Sequence, residues 1–175
     1  MQIRKSCLII FLVILVSCNS GSQQGRQAKN KQINSENALE KANRYLVRSE
    51  QEDIANYIRR HGLKMEETGS GLRYFIYEKG TSEKAETGKI AVLNYTLRLL
   101  TGDVVYSSKN DGQKIFKIGR GNVESGLEEA ILLMHVGDKA VLILPAHLGY
   151  GLLGDSNKIP SRCTLVYDIE LVELK

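Results

Sequence analysis

The feature that most constrains this fold is a change in the spacing of apolar residues near Gly71. Beyond it, most apolar residues alternate with polar ones, which is typical of strands that bury one face. A single later stretch returns to helical spacing, with apolar residues at Leu127, Ala130, Ile131 and Met134. A sheet must bury one face, and this short helix is the available cover. The sequence therefore predicts an α+β fold: an antiparallel half-barrel of five or six strands wrapped on one short helix.

Turn residues and changes of pattern predict where these elements begin and end. Ser125 and Glu128 have the spacing of a capping box that begins the helix, and Gly137 is predicted to end it. The segment 101–103 (TGD) predicts a turn between two strands. The runs that predict strands are 72–77, 90–100, 104–106, 116–118, 139–144 and 163–174.

The first eighteen residues are typical of an export signal followed by a lipid-attachment site. A short basic start precedes an apolar run over 8–16, which is shorter than the ~20 residues that a membrane-spanning helix needs. Residues 15–18 (LVSC) resemble the lipobox of bacterial lipoproteins, which implies that 1–17 is a signal peptide and that Cys18 is acylated. Two or three acyl chains would anchor the protein durably to a membrane. An uncleaved helix and an ordinary secretory signal are the alternatives.

The segment between the anchor and the sheet falls into two parts. Residues 18–34 are polar after the cysteine and predict a lipidated Cys18 followed by a flexible tether. Residues 35–70 predict a helical arm, with Ser35 as its N-cap and Gly62 after its last turn. We interpret the arm as a spacer and cap for the domain, and the alternative is a dimerisation or partner-binding arm. Asn19, directly after the cysteine, favours attachment to the outer membrane of the bacterial envelope. The sequence does not indicate on which face of that membrane the protein lies.

Charge and composition argue against several classes of site. The formal net charge is +4 without a basic stripe, so a nucleic-acid partner is not expected. The three cysteines and three histidines have no zinc or redox spacing, so neither a metal nor a cofactor is expected. With Cys7 in the signal and Cys18 acylated, Cys163 is left alone and is interpreted as a small buried apolar residue.

Residues 71–175 resemble the domain of the FKBP-type peptidyl-prolyl cis–trans isomerases. No single match is decisive, but their order and spacing along the chain are those of the family. The helical arm ending in YIRRHGLKMEETGSGLRYFI is also similar to FKBP-like lipoproteins of Bacteroidota, among them the gliding-motility-associated isomerases. The matching segments are 92–96 (VLNYT), 107–108 (SS), 116–119 (FKIG), 123–129, 134–140 (MHVGDKA), 145–151 (PAHLGYG), 159–160 (IP) and 164–171 (TLVYDIEL).

This resemblance implies an isomerase that binds an X-Pro segment in a groove between sheet and helix, without a metal or cofactor. The expected partners are proline-containing segments of envelope proteins, and the expected role is to assist their folding at the membrane surface. By position, the resemblance implies catalytic roles for Tyr150, Tyr95 and Val105. It implies substrate contacts for the backbone amide of Glu124 and for the side chains of Val123, Leu127, Ile159 and Tyr167.

Several positions depart from the family pattern. Val105 and Lys114 stand where phenylalanines are usual, and Tyr106 stands where an aspartate is usual. Glu124, Leu127 and Asp155 replace an isoleucine, a tryptophan and a histidine-like residue. We therefore expect a wider and wetter groove with weak catalysis and weak macrolide binding, and we expect Lys114 to oppose desolvation unless it points outward. The alternative function is a catalytically weak binding module or chaperone subunit of a gliding or secretion apparatus.

Overall fold

The computed structural model describes the backbone of residues 21–175 and the side chains from residue 36 onward. The predicted signal peptide, residues 1–17, and the predicted lipidation site, Cys18, lie outside the described residues. No helix in the described part of the chain is both long and apolar enough to cross a membrane. The described part of the chain divides into two units, one that ends at Val47 and one that spans Arg48–Lys175, and the boundary falls within the first helix.

Helix α1 spans Gly21–His61, so it begins well before the predicted N-cap at Ser35. The prediction of a flexible tether is therefore wrong for residues 21–34. Glutamine, lysine, arginine and alanine dominate this segment, and all of them favour helices even where no apolar face marks one. The predicted end is confirmed: Gly62 adopts φ 62°, and the Leu63 N–H donates to the Ile58 carbonyl at 3.1 Å. This is the Schellman arrangement that closes a helix.

The strands within the described residues are β1 Glu66–Glu67, β2 Arg73–Glu78, β3 Ile90–Leu99, β4 Val104–Ser107, β5 Lys114–Lys117, β6 Lys139–Leu144 and β7 Leu165–Leu174. They form one seven-stranded antiparallel sheet, in the order β1-β2-β6-β7-β3-β4 with β5 also paired to β3. The long central strands β3 and β7 pair from Ala91 with Leu174 to Leu99 with Leu165. The predicted α+β half-barrel is confirmed, and the strand beyond the expected five or six is the two-residue β1.

The concave face of the sheet is covered by a short helix, α3, which spans Ser125–Ile131. Its apolar stripe is buried, as the spacing predicts: Leu127 and Ile131 have no exposed surface. Met134 is also buried, although it lies beyond the helix, which ends before the predicted Gly137. A one-turn helix α2, Ser108–Asp111, and a single 3₁₀ turn at Ala146–Leu148 complete the domain.

The capping-box prediction at the start of α3 is wrong. The N-cap residue is Glu124, and no side chain caps the helix. The Glu128 carboxylate instead accepts hydrogen bonds from the backbone amides of Gly119, Arg120 and Gly121 at 2.9, 3.0 and 3.1 Å. A carboxylate gains more from three amide donors than from one. This side chain therefore holds the loop that leads into the helix.

The opposite face of the sheet is covered by the last turns of α1. Ile54 and Tyr57 pack there on Ile143 of β6 and Val166 of β7, and Ile54 has no exposed surface. Glu50 fastens the same turns, because its Oε1 atom accepts from the Ala146 N–H at 2.7 Å and from the Thr164 hydroxyl at 2.6 Å. Residues 48–61, part of the predicted helical arm over 35–70, thus belong to the same compact unit as the sheet.

Candidate functional site

The structure brings together the eight site residues that the sequence predicts, from four secondary-structure elements and two loops. We call them the candidate site. Seven of the side chains belong to or pack against one apolar cluster between the sheet and α3, and the eighth, Glu124, is hydrogen-bonded to Tyr167 of that cluster. Their burial is graded: Leu127 and Tyr167 are fully buried, whereas Tyr95, Val123 and Tyr150 keep part of their surface exposed. The partly exposed members form the face available to a ligand.

Two aromatic side chains shape the middle of the candidate site. Tyr95 on β3 and Tyr167 on β7 lie on paired strands, with ring centroids 6.1 Å apart and planes tilted by 53°. The Nζ atom of Lys114 lies 5.6 Å from the centroid of Tyr95 and 5.5 Å from that of Tyr167, within the range of a cation–π interaction. The lysine therefore points into the site rather than outward to solvent.

An ion pair beside these rings gives the candidate site a polar centre. Lys114 donates to both carboxylate oxygens of Glu124 at 3.2 and 3.1 Å, and to the hydroxyl oxygen of Tyr167 at 3.1 Å. The Tyr167 hydroxyl in turn donates to Glu124 Oε1 at 2.7 Å. We call Lys114, Glu124 and Tyr167 the polar network, and the negative charge of Glu124 also acts on the nearby hydroxyl of Tyr150. Each of its buried polar groups has a partner, as burial in a low-dielectric site requires.

The charge on Glu124 is maintained although its carboxylate is buried. Burial raises the pKa of Glu124, but the ammonium of Lys114 and the hydrogen bonds from Tyr167 and from its own amide together bring that pKa below the usual value. The carboxylate affects Tyr150 in the opposite sense: burial and the negative charge of Glu124 raise the pKa of the Tyr150 hydroxyl. Tyr150 therefore stays protonated at neutral pH and remains a hydrogen-bond donor.

The loop that follows Tyr150 forms one side of the candidate site, and Asp155 organises it. Its Oδ1 atom accepts from the backbone amides of Asn157 and Ile159 at 2.9 and 2.8 Å. Its Oδ2 atom accepts a short hydrogen bond from the Tyr106 hydroxyl on β4. Ile159, predicted as a substrate contact, is held in this way with only 3% of its surface exposed. Tyr106 and Asp155, which both depart from the family pattern, are thus hydrogen-bonded to each other.

The polar network is the part of the site that reasoning from the sequence missed. Glu124 was predicted to act through its backbone amide, and Lys114 was predicted to oppose desolvation unless it points outward. The available signal was the presence of two opposite charges among otherwise apolar site positions. Their pairing was not predicted because Lys114 begins strand β5 and Glu124 is the N-cap of helix α3, and only tertiary structure sets the distance between them.

No group of histidine, cysteine, aspartate and glutamate side chains suited to a metal ion occurs within residues 36–175. Cys163, the remaining cysteine there, is half-buried and unpaired by any disulfide. Burial, followed by the charge of Glu50, raises the pKa of its thiol. A raised pKa keeps a thiol protonated and weakly nucleophilic.

Comparison with known proteins gives a consistent result over this part of the chain. Residues 81–172 match the family model described as FKBP-type peptidyl-prolyl cis-trans isomerase, and this range contains every residue of the candidate site. The chain is 42% identical over 90 residues to FK506-binding protein 2 of Dictyostelium discoideum, covering 51% of this chain and 68% of that protein. It is 36% identical over 93 residues to peptidyl-prolyl cis-trans isomerase FKBP2 of Homo sapiens, covering 53% of this chain and 66% of that protein.

A solved structure extends the similarity. The crystal structure of FkpA from Escherichia coli superposes with a TM-score of 0.65 and 27% sequence identity, covering 87% of this chain and 71% of that chain.

Proposed function

Because this chain belongs to the FKBP-type peptidyl-prolyl cis–trans isomerases, we propose that the candidate site binds an X-Pro segment of a polypeptide and catalyses rotation about its amide bond. The observation that carries the proposal is the position of Tyr150. Its hydroxyl is kept protonated beside two aromatic walls, in a loop held by Asp155. This places a fixed donor at the edge of an apolar surface, which suits a proline ring with an adjacent carbonyl.

The reaction needs no nucleophile, because rotation breaks no bond. Its barrier of ~18–20 kcal/mol arises from the loss of amide resonance on twisting, and uncatalysed exchange takes ~10–100 s. A site that holds the twisted amide better than either planar form lowers this barrier. Apolar walls such as Val105 and Ile159 exclude water from the more polar planar state, and the Tyr150 hydroxyl orients the carbonyl that precedes the ring.

The first prediction concerns this hydroxyl. Tyr150→Phe is expected to lower kcat/KM by about tenfold, the effect of losing one hydrogen bond that is stronger in the transition state. Exchange of Leu-Pro and Phe-Pro peptides, followed by NMR line broadening on the purified protein, measures the change. Tyr77→Phe is the matched control: Tyr77 donates to Asp168 on the other side of the sheet, so this variant loses a tyrosine hydroxyl away from the candidate site.

The same experiment separates the two functions that the sequence left open. Wild-type acceleration that falls in Tyr150→Phe and survives in Tyr77→Phe supports the enzyme. A folded protein that binds the peptides without accelerating their exchange would overturn the catalytic proposal and favour a binding module in a larger apparatus.

We also propose where the enzyme acts and on what. It acts at the bacterial cell envelope, and its substrates are proline-containing segments of envelope proteins. The support is the export signal over 1–17 and the LVSC motif that ends at Cys18. An acylated protein at a membrane surface meets newly exported chains before they fold. Exchange of X-Pro bonds in seconds to minutes is then slow enough to limit their folding.

The second prediction tests the anchor. The wild-type protein, expressed in a bacterium with lipoprotein processing, is expected to incorporate radiolabelled palmitate and to sediment with membranes. Cys18→Ser should abolish both results, while Cys7→Ser, a change of the same kind within the predicted signal, should leave them intact. Labelling that persists without Cys18 contradicts the lipoprotein proposal and leaves the catalytic one untouched.

A further inference from the structure

The polar network contains an ion pair whose two members differ in their access to a ligand. The side chain of Glu124 is 4% exposed, whereas that of Lys114 is 21% exposed. The carboxylate accepts hydrogen bonds from both Lys114 and Tyr167, which disperse its negative charge. The ammonium faces a single carboxylate and lies over two rings. The end of the ion pair that the candidate site presents outward is therefore positive.

Stability alone does not account for this arrangement. Removing an ammonium and a carboxylate from water costs several kcal/mol per ion, and apolar residues of similar volume often do as well or better. The surrounding positions, Val105, Val123 and Leu127, are apolar and well packed. The ion pair is thus the feature that distinguishes the electrostatics of this site from those of a wholly apolar one.

We infer that Lys114 determines substrate specificity, favouring X-Pro segments that carry a carboxylate next to the proline over segments with a lysine or an apolar residue there. This inference rests on the proposed isomerase function and adds the substrate class. An acidic side chain beside a proline seated against the partly exposed ring of Tyr95 comes within reach of the ammonium, which lies 5.6 Å from the centroid of that ring. A basic side chain at the same place meets a like charge in a site partly shielded from solvent.

The experiment compares three proline peptides that differ only in the preceding residue: glutamate, leucine or lysine. With the wild-type protein, kcat/KM for the Glu-Pro peptide is expected to exceed that for the Lys-Pro peptide by about tenfold at low ionic strength, as a charge-assisted contact provides. The ratio should decrease as salt is raised from ~0.02 to ~0.5 M, because a partly exposed charge is screened.

Three variants attribute this preference to Lys114. In Lys114→Met the Glu-Pro to Lys-Pro ratio should fall to about one, while in Lys114→Arg, which keeps the charge, it should persist. Lys117→Met on the same strand is the matched control, since Lys117 is exposed and its side chain lies outside the polar network. If Lys114→Met is poorly folded because Glu124 loses its partner, the double variant Lys114→Met/Glu124→Gln removes both charges and keeps an acceptor for the tyrosines.

The possible outcomes test the specificity inference separately from the proposed isomerase function. Acceleration of all three peptides with equal kcat/KM overturns the specificity inference and leaves the isomerase intact. No acceleration of any peptide overturns the isomerase, and the charge preference is then read from binding, as chemical-shift changes of labelled protein titrated with the same peptides. A preference for Lys-Pro, or a wild-type ratio that survives in Lys114→Met, also overturns the inference.

Discussion

Replacing Ile54 with alanine is expected to lower the free energy of unfolding by about 3 kcal/mol, as removal of a large buried aliphatic side chain does. Ile54 belongs to α1, yet it is fully buried against Ile143 and Val166 on the outer face of the sheet. Truncation leaves a cavity between a helix and two strands whose backbones are fixed by hydrogen bonds to their neighbours. Urea denaturation followed by circular dichroism measures the loss.

The control for this prediction lies on the same helix. Leu39 is 70% exposed, so Leu39→Ala should change the free energy of unfolding by less than about 0.5 kcal/mol. Equal and small losses in both variants would show that the last turns of α1 contribute nothing to the stability of the sheet. That result would mean that residues 48–61 act as a spacer and do not cap the sheet.

Replacing Gly154 with alanine is expected to cost about 3 kcal/mol of stability through backbone strain, and to lower kcat/KM by about tenfold through displaced site residues. Gly154 has φ 72°, and a Cβ atom there would lie 2.1 Å from the backbone oxygen of Ile159. No rotation of a side chain relieves a clash with backbone, so the loop has to move. Asp155 and Ile159 move with it, and with them one side of the candidate site.

Gly151 provides the matched comparison for this loop. It has φ 63°, but a Cβ atom there would have nothing within 4 Å. Gly151→Ala should therefore show only the cost of the left-handed conformation, about 1 kcal/mol, with kcat/KM nearly unchanged. Thermal unfolding and the NMR exchange assay on both variants test the pair. Similar effects at the two positions would mean that conformation alone, and not the close approach of Gly154 to Ile159, governs the loop.

Most of the sheet and its covering helix were predictable because their signals are local. Alternation identified β2, β3, β6 and β7 to within a few residues, and an i, i+3, i+4 stripe identified α3. The start of α1 was not predictable in the same way. Its first part is polar except for Ala28 and Ile33, and a largely polar sequence with good helix formers is compatible with both a helix and a tether.

The residues of the candidate site also differ in whether the sequence could predict their roles. Aromatic and apolar members such as Tyr95, Tyr150 and Tyr167 were predicted through family resemblance, because their positions follow from the order of strands and loops. The hydrogen-bond partners of the charged side chains were not predicted. Glu128 has the spacing of a capping residue. Its carboxylate instead accepts hydrogen bonds from the backbone amides of residues 119–121, because the loop before α3 folds so that these amides lie beside it.

The sequence by itself determined which segments become strands or helices, which face of each is buried, and which residues are available to line a site. These properties depend on side-chain type and on spacing within one segment. Tertiary structure alone decided that Lys114 pairs with Glu124, that Tyr106 pairs with Asp155, and that Ile54 completes the outer face of the sheet. A contact between charges, or between a helix and a distant strand, depends on distances between segments, and only the folded chain sets those distances.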